Sequence, residues 1–385
     1  LSVCGIIAEF NPLHNGHKYL IDYALRKYDS VICALSGNFT QRGEPAIISK
    51  ADRVVAALKA GVHAVYEMPV VYSMSTAQNF ALCGVLTLYN AGCDTILFGS
   101  ETGDIAALLK TADILLGDDF KNALAEMNES GETFAALRQK AAEVCGAPRG
   151  ILKNPNDNLG IEYIIAAKRA GLKLNFEAVK RVGTNHDGTP SGEFASASYI
   201  RDLILNDKKE SAKKYMPECS TPLLSFSSAD IKYGERAILG TLRSKSADDF
   251  KNLPDISEGI ENRLSEGVKT ALNLDELYSF IKTKRYTLSR VRRLVLSAAL
   301  GFDDTFFLKP PPYSRLLGSR SDFVSAYKNR GRLFPIVSRA AEIEKLSGNA
   351  QKLFRFENAA TDIYALCFKE ALPCGTEYKM KYIKI

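Results

Sequence analysis

Histidine is scarce: the 385-residue chain has four, His14, His17, His63 and His186. A zinc site would therefore lean on cysteine, yet none of the eight cysteines forms a C-x-x-C pair and the histidine spacing gives no zinc pattern. Most cysteines lie in apolar stretches such as VICALSG and FALCGVL. They read as buried, reduced thiols in a cytoplasmic protein. No apolar run reaches the roughly 18–20 residues of a membrane helix, so a membrane is not expected as a partner. Internal repeats and low-complexity tracts are absent. The opening LSVCGIIAEF has no basic leader and reads as a strand. Composition is otherwise ordinary, 46% hydrophobic and 24% charged, and the length suits two domains. The net charge of +6 permits nucleic-acid binding without demanding it. Acid is missing from one stretch in particular: IKTKRYTLSRVRR, 281–293, holds six Lys or Arg and no Asp or Glu.

What is present begins with alternation. Short apolar runs at 3–8, 30–35, HAVYEMPVV, DTILFGS and LNFEAVKRVG are separated by stretches of helical spacing. That order predicts an α/β fold, a Rossmann-like parallel sheet with helices on both faces. Ligands of such sheets bind beyond the carboxyl ends of the strands. NPLHNGH, SGNFTQRGEP and FGSETG all fall at that edge. After about residue 207, Lys- and Asp-rich helical stretches dominate. The expectation is an α/β domain over 1–215 and a mainly helical C-terminal domain over 216–385.

Two of the four histidines stand three apart in HNGH, directly after the first strand. A helix N-terminus attracts phosphate through its free N–H groups and partial charge. Gly16 permits close approach to the backbone, and two imidazoles can bind phosphate oxygens as charge develops on a leaving pyrophosphate. The plainer alternative is that His14 and His17 fill loop and first-turn positions. A second phosphate-type element is FASASYIR, 194–201. Its Ser196 and Ser198 can cap a helix and donate, and Arg201 offers a forked charge; alternatively it is an ordinary capped helix with a surface arginine.

HNGH after a first strand, with the later SASYIR, resembles the HxGH nucleotidyltransferase superfamily, relatives of class I aminoacyl-tRNA synthetases. The ordered set GIIAEFNPLHNGH, SGNFTQRGEPAIISKADR, VYEMPVVYS, ILFGSE, NPNDNLGIEYI, KRVGTNHDG and FASASYIR resembles the tRNA(Met) cytidine acetate ligase family more closely. The likeness is dense over 3–205 and looser beyond. The resemblance implies an enzyme that joins acetate to ATP, releases pyrophosphate, and passes the acetyl group to N4 of the wobble cytidine of elongator tRNA(Met). It implies catalytic roles for His14 and His17. ATP contacts would come from Ile7, Ala8, Glu9, Phe10, Asn11, Pro12, Leu13, His14, Asn15, Gly16, His17, Lys18, Tyr19 and Leu20. Gly99, Asn156, Arg181, Ser196, Ser198 and Arg201 would complete them. Mg²⁺ would accompany ATP without a dedicated protein site, and RNA rather than DNA would be the nucleic-acid partner.

Such chemistry needs positive partners for the α-phosphate and no covalent nucleophile. Gln41, Arg42 and Glu44 are candidates for an acetate or cytidine pocket. Lys50 and Arg53 follow on the next helix, as a solvated face or as further site cations. His63, at the entry to a strand, reads as structural, and His186 as a turn residue or a ligand contact. In the basic run, Lys284, Arg285, Arg290 and Arg293 are candidate tRNA contacts and Tyr286 a stacking platform. The rival readings are a small-molecule adenylyltransferase, a class I synthetase, which lacks its K-M-S-K-S-like loop here, and a non-catalytic RNA-binding protein.

Overall fold

A computed structural model of the chain describes residues 2–127, 133–182, 190–257, 259–284, 286–323 and 332–385. Among these residues eight strands form one sheet: β1 (Val3–Ala8), β2 (Ser30–Ser36), β3 (Ala64–Met68), β4 (Thr95–Ser100), β5 (Asn175–Lys180), β6 (Ser314–Ser319), β7 (Ile336–Val337) and β8 (Ile383–Lys384). Their order is β5-β4-β1-β2-β3-β6-β7, with β8 also on β6. β1 to β5 run parallel. The central runs VCGIIA and SVICALS are buried almost throughout, as strands covered on both faces must be. Helices fill both faces, one apolar cluster around Tyr66, Phe80 and Ile164 and a second around Ile21, Leu35 and Val54. The fold is α/β, as its spacing predicts.

Two features add to the expectation. β6 pairs antiparallel with β3, so the sheet is mixed. β6, β7 and β8 come from the last third of the chain, so residues beyond 215 are helical in large part but also complete the N-terminal sheet. Nothing local in SRLLGS, IV or IK distinguishes a strand that joins a distant sheet from one that pairs nearby. HAVYEMPVV is a strand only to Met68. Pro69 has no N–H for the ladder and instead opens a short helix, Val70–Ser73.

A buried charge network joins the late elements to the sheet. Lys50 Nζ contacts Glu67, Glu357 at 3.1 Å and both Glu377 oxygens at 2.9 Å; Arg315 contacts Glu67 at 3.3 Å and also Glu377. All five side chains are at most 2% exposed. Glu357 sits on the helix Gly348–Ala365 and Glu377 on the short helix Thr376–Lys379. Lys50 and Arg53 are therefore not a solvated face. Arg53 is buried too, donating to the carbonyls of Ile48 (3.0 Å), Glu9 (2.6 Å), Ser36 (3.2 Å) and Gly37. It ties the ends of β1 and β2 to the start of the helix Lys50–Lys59.

Candidate active site

β1 and β4 are neighbours, but their ladder covers only Cys4↔Thr95 and Gly5↔Ile96. Beyond that register the strands part, at the point where the strand order reverses. A cleft of about 410 Å³ opens there, lined by the ends of β1, β4 and β5 and by the helices Asn15–Lys27, Ala77–Asn90, Pro155–Arg169 and Ala197–Leu205. This is where a doubly wound sheet binds its ligand.

His14 and His17 line it, His14 as the N-cap and His17 in the first turn of the helix Asn15–Lys27. Each backbone N–H donates to the other residue's ring: His17 N to His14 Nδ1 at 3.3 Å, His14 N to His17 Nδ1 at 3.4 Å. The imidazoles stack at 3.7 Å and 18°. An Nδ1 that accepts a hydrogen bond carries no proton, so each neutral ring carries its hydrogen on Nε2. Burial pushes His14 down to about 3, with Arg181 adding to it. Burial first, then His14 and Arg181, hold His17 well below its usual value. The pair is thus two neutral Nε2–H donors. Gly16 leaves room for this arrangement: a Cβ there would lie 3.0 Å from His14 Cε1 and 3.1 Å from Nδ1. Phe10, in left-handed backbone at φ 46°, sets its ring edge-on to His17 at 5.1 Å. A non-glycine residue there is a strained placement that the surrounding packing must hold.

The far wall is built from β4 and the helix Pro155–Arg169. Glu101 accepts from the N–H groups of Asn156 (3.1 Å) and Asp157 (2.9 Å), capping that helix. Asp157, fully buried, in turn accepts from Glu101 N at 3.1 Å and from Ser100. Asn156 Nδ2 donates to Glu101 at 2.5 Å, and Asn156 Oδ1 accepts from Arg181 Nη1 at 3.1 Å. The chain Glu101–Asn156–Arg181 lays the Arg181 side chain over Gly99, 3.4 Å from where a Cβ would be. Arg201 donates to the Asn11 carbonyl at 2.9 Å and lies 3.7 Å from Glu44.

Between these walls a tight turn carries Gln41 and Arg42 into the cleft. Thr40 N donates to Glu44 O at 2.9 Å and Gly43 N to Thr40 O at 3.0 Å. Gly43 has φ +70°, and a Cβ there would meet Arg293 N at 2.6 Å, so the turn packs directly on the helix Leu288–Leu300. From that helix Arg292 pairs with Glu44, and Arg293 Nη1 donates to Gln41 O at 3.2 Å. The helix Gly348–Ala365 adds Tyr364 Oη to Ala46 O at 2.8 Å. Arg42 itself is exposed and has no hydrogen bond or ion pair among the described residues.

A family model described as HIGH Nucleotidyl Transferase matches residues 1–377. The tRNA(Met) cytidine acetate ligase of Thermoanaerobacter sp. (strain X514) is 37% identical over the whole of both chains. That of Clostridium acetobutylicum is 32% identical, covering 98% of this chain and 99% of the relative. This chain belongs to the tRNA(Met) cytidine acetate ligase family. It is accordingly an enzyme, a ligase on a nucleotidyltransferase fold. The crystal structure of Thermotoga maritima TmcAL bound with alpha-thio ATP aligns at a TM-score of 0.90 and 29% identity, with all of both chains covered.

Against the family resemblance, the structure brings Ile7, Ala8, Glu9, Phe10, Asn11, His14, Gly16, His17, Tyr19, Leu20, Gly99, Asn156, Arg181 and Arg201 to the cleft. Six other candidates do not line it. Pro12 and Leu13 are buried, and Lys18 pairs along the helix with Asp22. Asn15 Nδ2 straps the Glu193 and Lys214 carbonyls at 2.8 and 3.1 Å. Ser196 caps the helix Ala197–Leu205 and meets Ser198 at 3.0 Å; their neighbours Ala195 and Ala197 reach the cleft instead. Residues missed from sequence are the apolar floor, Ala77, Phe80, Phe98, Leu159 and Tyr163. They read as core residues, and only the fold shows which core faces are open.

The ligase's basic run is rearranged. Arg290 Nη2 donates to Asp255 O (2.8 Å) and Ser257 Oγ (2.6 Å), and its guanidinium lies over Tyr286. Arg293 lies 3.3 Å from Asp255 Oδ2. Both face inward, and Tyr286 is buried, so none is placed as a free RNA contact. Lys284 is exposed, while Arg285 and His186 lie outside the described residues. His63 accepts from Val31 N at 3.0 Å, a structural bond. Among the described residues no three metal-ligating side chains gather, and no helix is long and apolar enough to cross a membrane.

Proposed function

We propose that the protein joins acetate to ATP as acetyl-adenylate and transfers the acetyl group to N4 of the wobble cytidine of elongator tRNA(Met), giving N4-acetylcytidine. In the first step an acetate oxygen bonds to the α-phosphorus and the bond to pyrophosphate breaks. In the second the cytidine amine bonds to the acetyl carbon, and AMP leaves with the electron pair of the carbon–oxygen bond. The observation that carries this reading is the stacked His14–His17 pair. It presents two neutral Nε2–H donors at a switch-point cleft, in a chain that matches cytidine acetate ligases end to end. Neutral donors suit a phosphate whose charge grows as the bond breaks, because they stay aligned and need no proton transfer.

Arg181 and Arg201 add fixed positive charge along the polyphosphate. The apolar floor of Phe80, Phe98 and Leu159 takes the flat adenine. Arg42, exposed at the cleft, is the cation that receives the acetate carboxylate. Mg²⁺ comes as the counterion of the triphosphate, whose charge it neutralises. The elements after residue 215 hold tRNA, with Lys284 toward RNA and Arg290 and Arg293 as struts. The tRNA substrate places the reaction in the cytoplasm.

The test is incubation with ATP, Mg²⁺, isotopically labelled acetate and unmodified elongator tRNA(Met), followed by mass spectrometry of the digested RNA. Label in N4-acetylcytidine, reduced roughly 100-fold or more in His14→Ala and His17→Ala, is expected. ATP binding without labelled cytidine would overturn the substrate assignment.

A further inference from the structure

We infer that Glu9 is the general base that takes the proton from the cytidine amine, a role that rests on the function proposed above. The two half-reactions differ in their need for a base. Acetate attacks ATP as an anion and releases no proton. The amine does: as nitrogen bonds to the acetyl carbon and AMP departs, one N–H proton must leave. A group in the cleft has to accept it.

The candidates in the cleft reduce to one. His14 and His17 cannot accept, because Nδ1 of each is already hydrogen-bonded to a backbone N–H and Nε2 bears the hydrogen. The side chains of Arg42, Arg181, Arg201 and Lys180 are cations. Glu9 is the single carboxylate among the described residues that line the cleft. It follows directly on β1, at the switch point.

Its setting is that of a held, reactive carboxylate. Oε1 accepts from Gln41 N at 2.7 Å, which orients the group. Oε2 takes no hydrogen bond from the described residues and is not among the buried unpartnered atoms. The Glu9 carbonyl is anchored by Arg53 at 2.6 Å, so the backbone that aims the side chain is fixed from below. Arg42 and Arg201 lie close enough to favour the anion, whereas burial raises the carboxyl above its usual range and makes it more basic. The same turn that bonds Oε1 also presents Arg42. The proposed acetate cation and the proposed base are therefore side by side.

Glu9→Gln tests this, since the amide oxygen can still accept from Gln41 N. Acetate-dependent ATP–pyrophosphate exchange is measured with a tRNA whose wobble base is uridine, which has no amine to acetylate. Single-turnover acetyl transfer is measured with the natural tRNA. Transfer is expected to fall by about 10²–10⁴, at least tenfold more than exchange. Wild-type transfer should fall off at acid pH, and that limb should vanish in Glu9→Gln and persist in Glu9→Asp. Exchange and transfer falling together would make Glu9 a positioning residue and overturn the proposal, as would transfer within tenfold of wild type. A wild-type protein that forms no acetylcytidine would instead sink the functional reading on which the proposal rests.

Discussion

Lys50→Met should be among the most destabilising single changes in this chain. The side chain is 2% exposed and its ammonium contacts three carboxylates, Glu67, Glu357 and Glu377. Met fills most of the volume, so the loss is electrostatic rather than a cavity. With Lys50 gone, Arg315 alone faces three acids that water cannot reach. Breaking a buried pair while leaving its partner charged costs about 3–5 kcal/mol. Lys18→Met is the control: its pair with Asp22 is about a third exposed and should be worth no more than about 0.5 kcal/mol. Urea unfolding followed by circular dichroism gives both values; the chain has no tryptophan to report. The deficit should also depend on pH. Burial pushes Glu357 up to about 8 from 4.5. Below 4.5 the folded and unfolded forms both carry its proton, and the stabilisation from holding it is complete. That contribution is lost as pH rises from 4.5 through 8. The Lys50→Met deficit should therefore shrink at pH 5 and grow at pH 8. A loss within 1 kcal/mol of the Lys18→Met control (about 0.5 kcal/mol), or one independent of pH, would refute the reasoning.

Two other outcomes are expected. Gly16→Ala should leave folding stability within about 1 kcal/mol, because alanine suits a first helical turn. It should nonetheless lower ATP–pyrophosphate exchange by about tenfold or more through displacement of the His14 ring, as a small misplacement does; unchanged exchange kinetics would contradict it. Glu44→Gln and Arg292→Met should each loosen the turn that carries Gln41 and Arg42, raising the KM for acetate. Because they remove the same ion pair, the double variant should be no worse than the poorer single one, and additive effects in a double-mutant cycle would argue against a shared role.

Much of the N-terminal half was legible because local pattern and global fold agree there. Val3–Ala8, Ser30–Ser36 and Thr95–Ser100 are apolar runs bounded by turn residues, and a parallel α/β sheet puts their carboxyl ends together whatever the details. HNGH could be read because its chemistry lies within four residues: the cap, the glycine and both rings are local. Lys50, Arg53 and Arg290 could not. On a helix a charged residue looks solvated until the partners are known, and theirs come from Glu357 and Glu377, from four separate carbonyls, and from Asp255. Burial of a charge is a tertiary fact, set by groups up to 327 positions away.

The same point explains the turn at 40–44. Gly, Asn and Pro mark it as a loop, and loops are ordinarily the mobile part of a site. Here the turn is held by Arg292, Arg293 and Tyr364 from beyond residue 290, and by Arg53 at its base. The Glu9 carboxylate is bonded to its Gln41 N–H. The late helices therefore stiffen the wall of the cleft that carries Arg42. A cleft of this kind needs its charged groups fixed before the ligand arrives, since reorganisation during reaction would forfeit the gain from aligned dipoles. That requirement gives a physical reason for β6, β7 and β8 to return to the N-terminal sheet. A helical domain tethered by a loose linker would not hold the turn still.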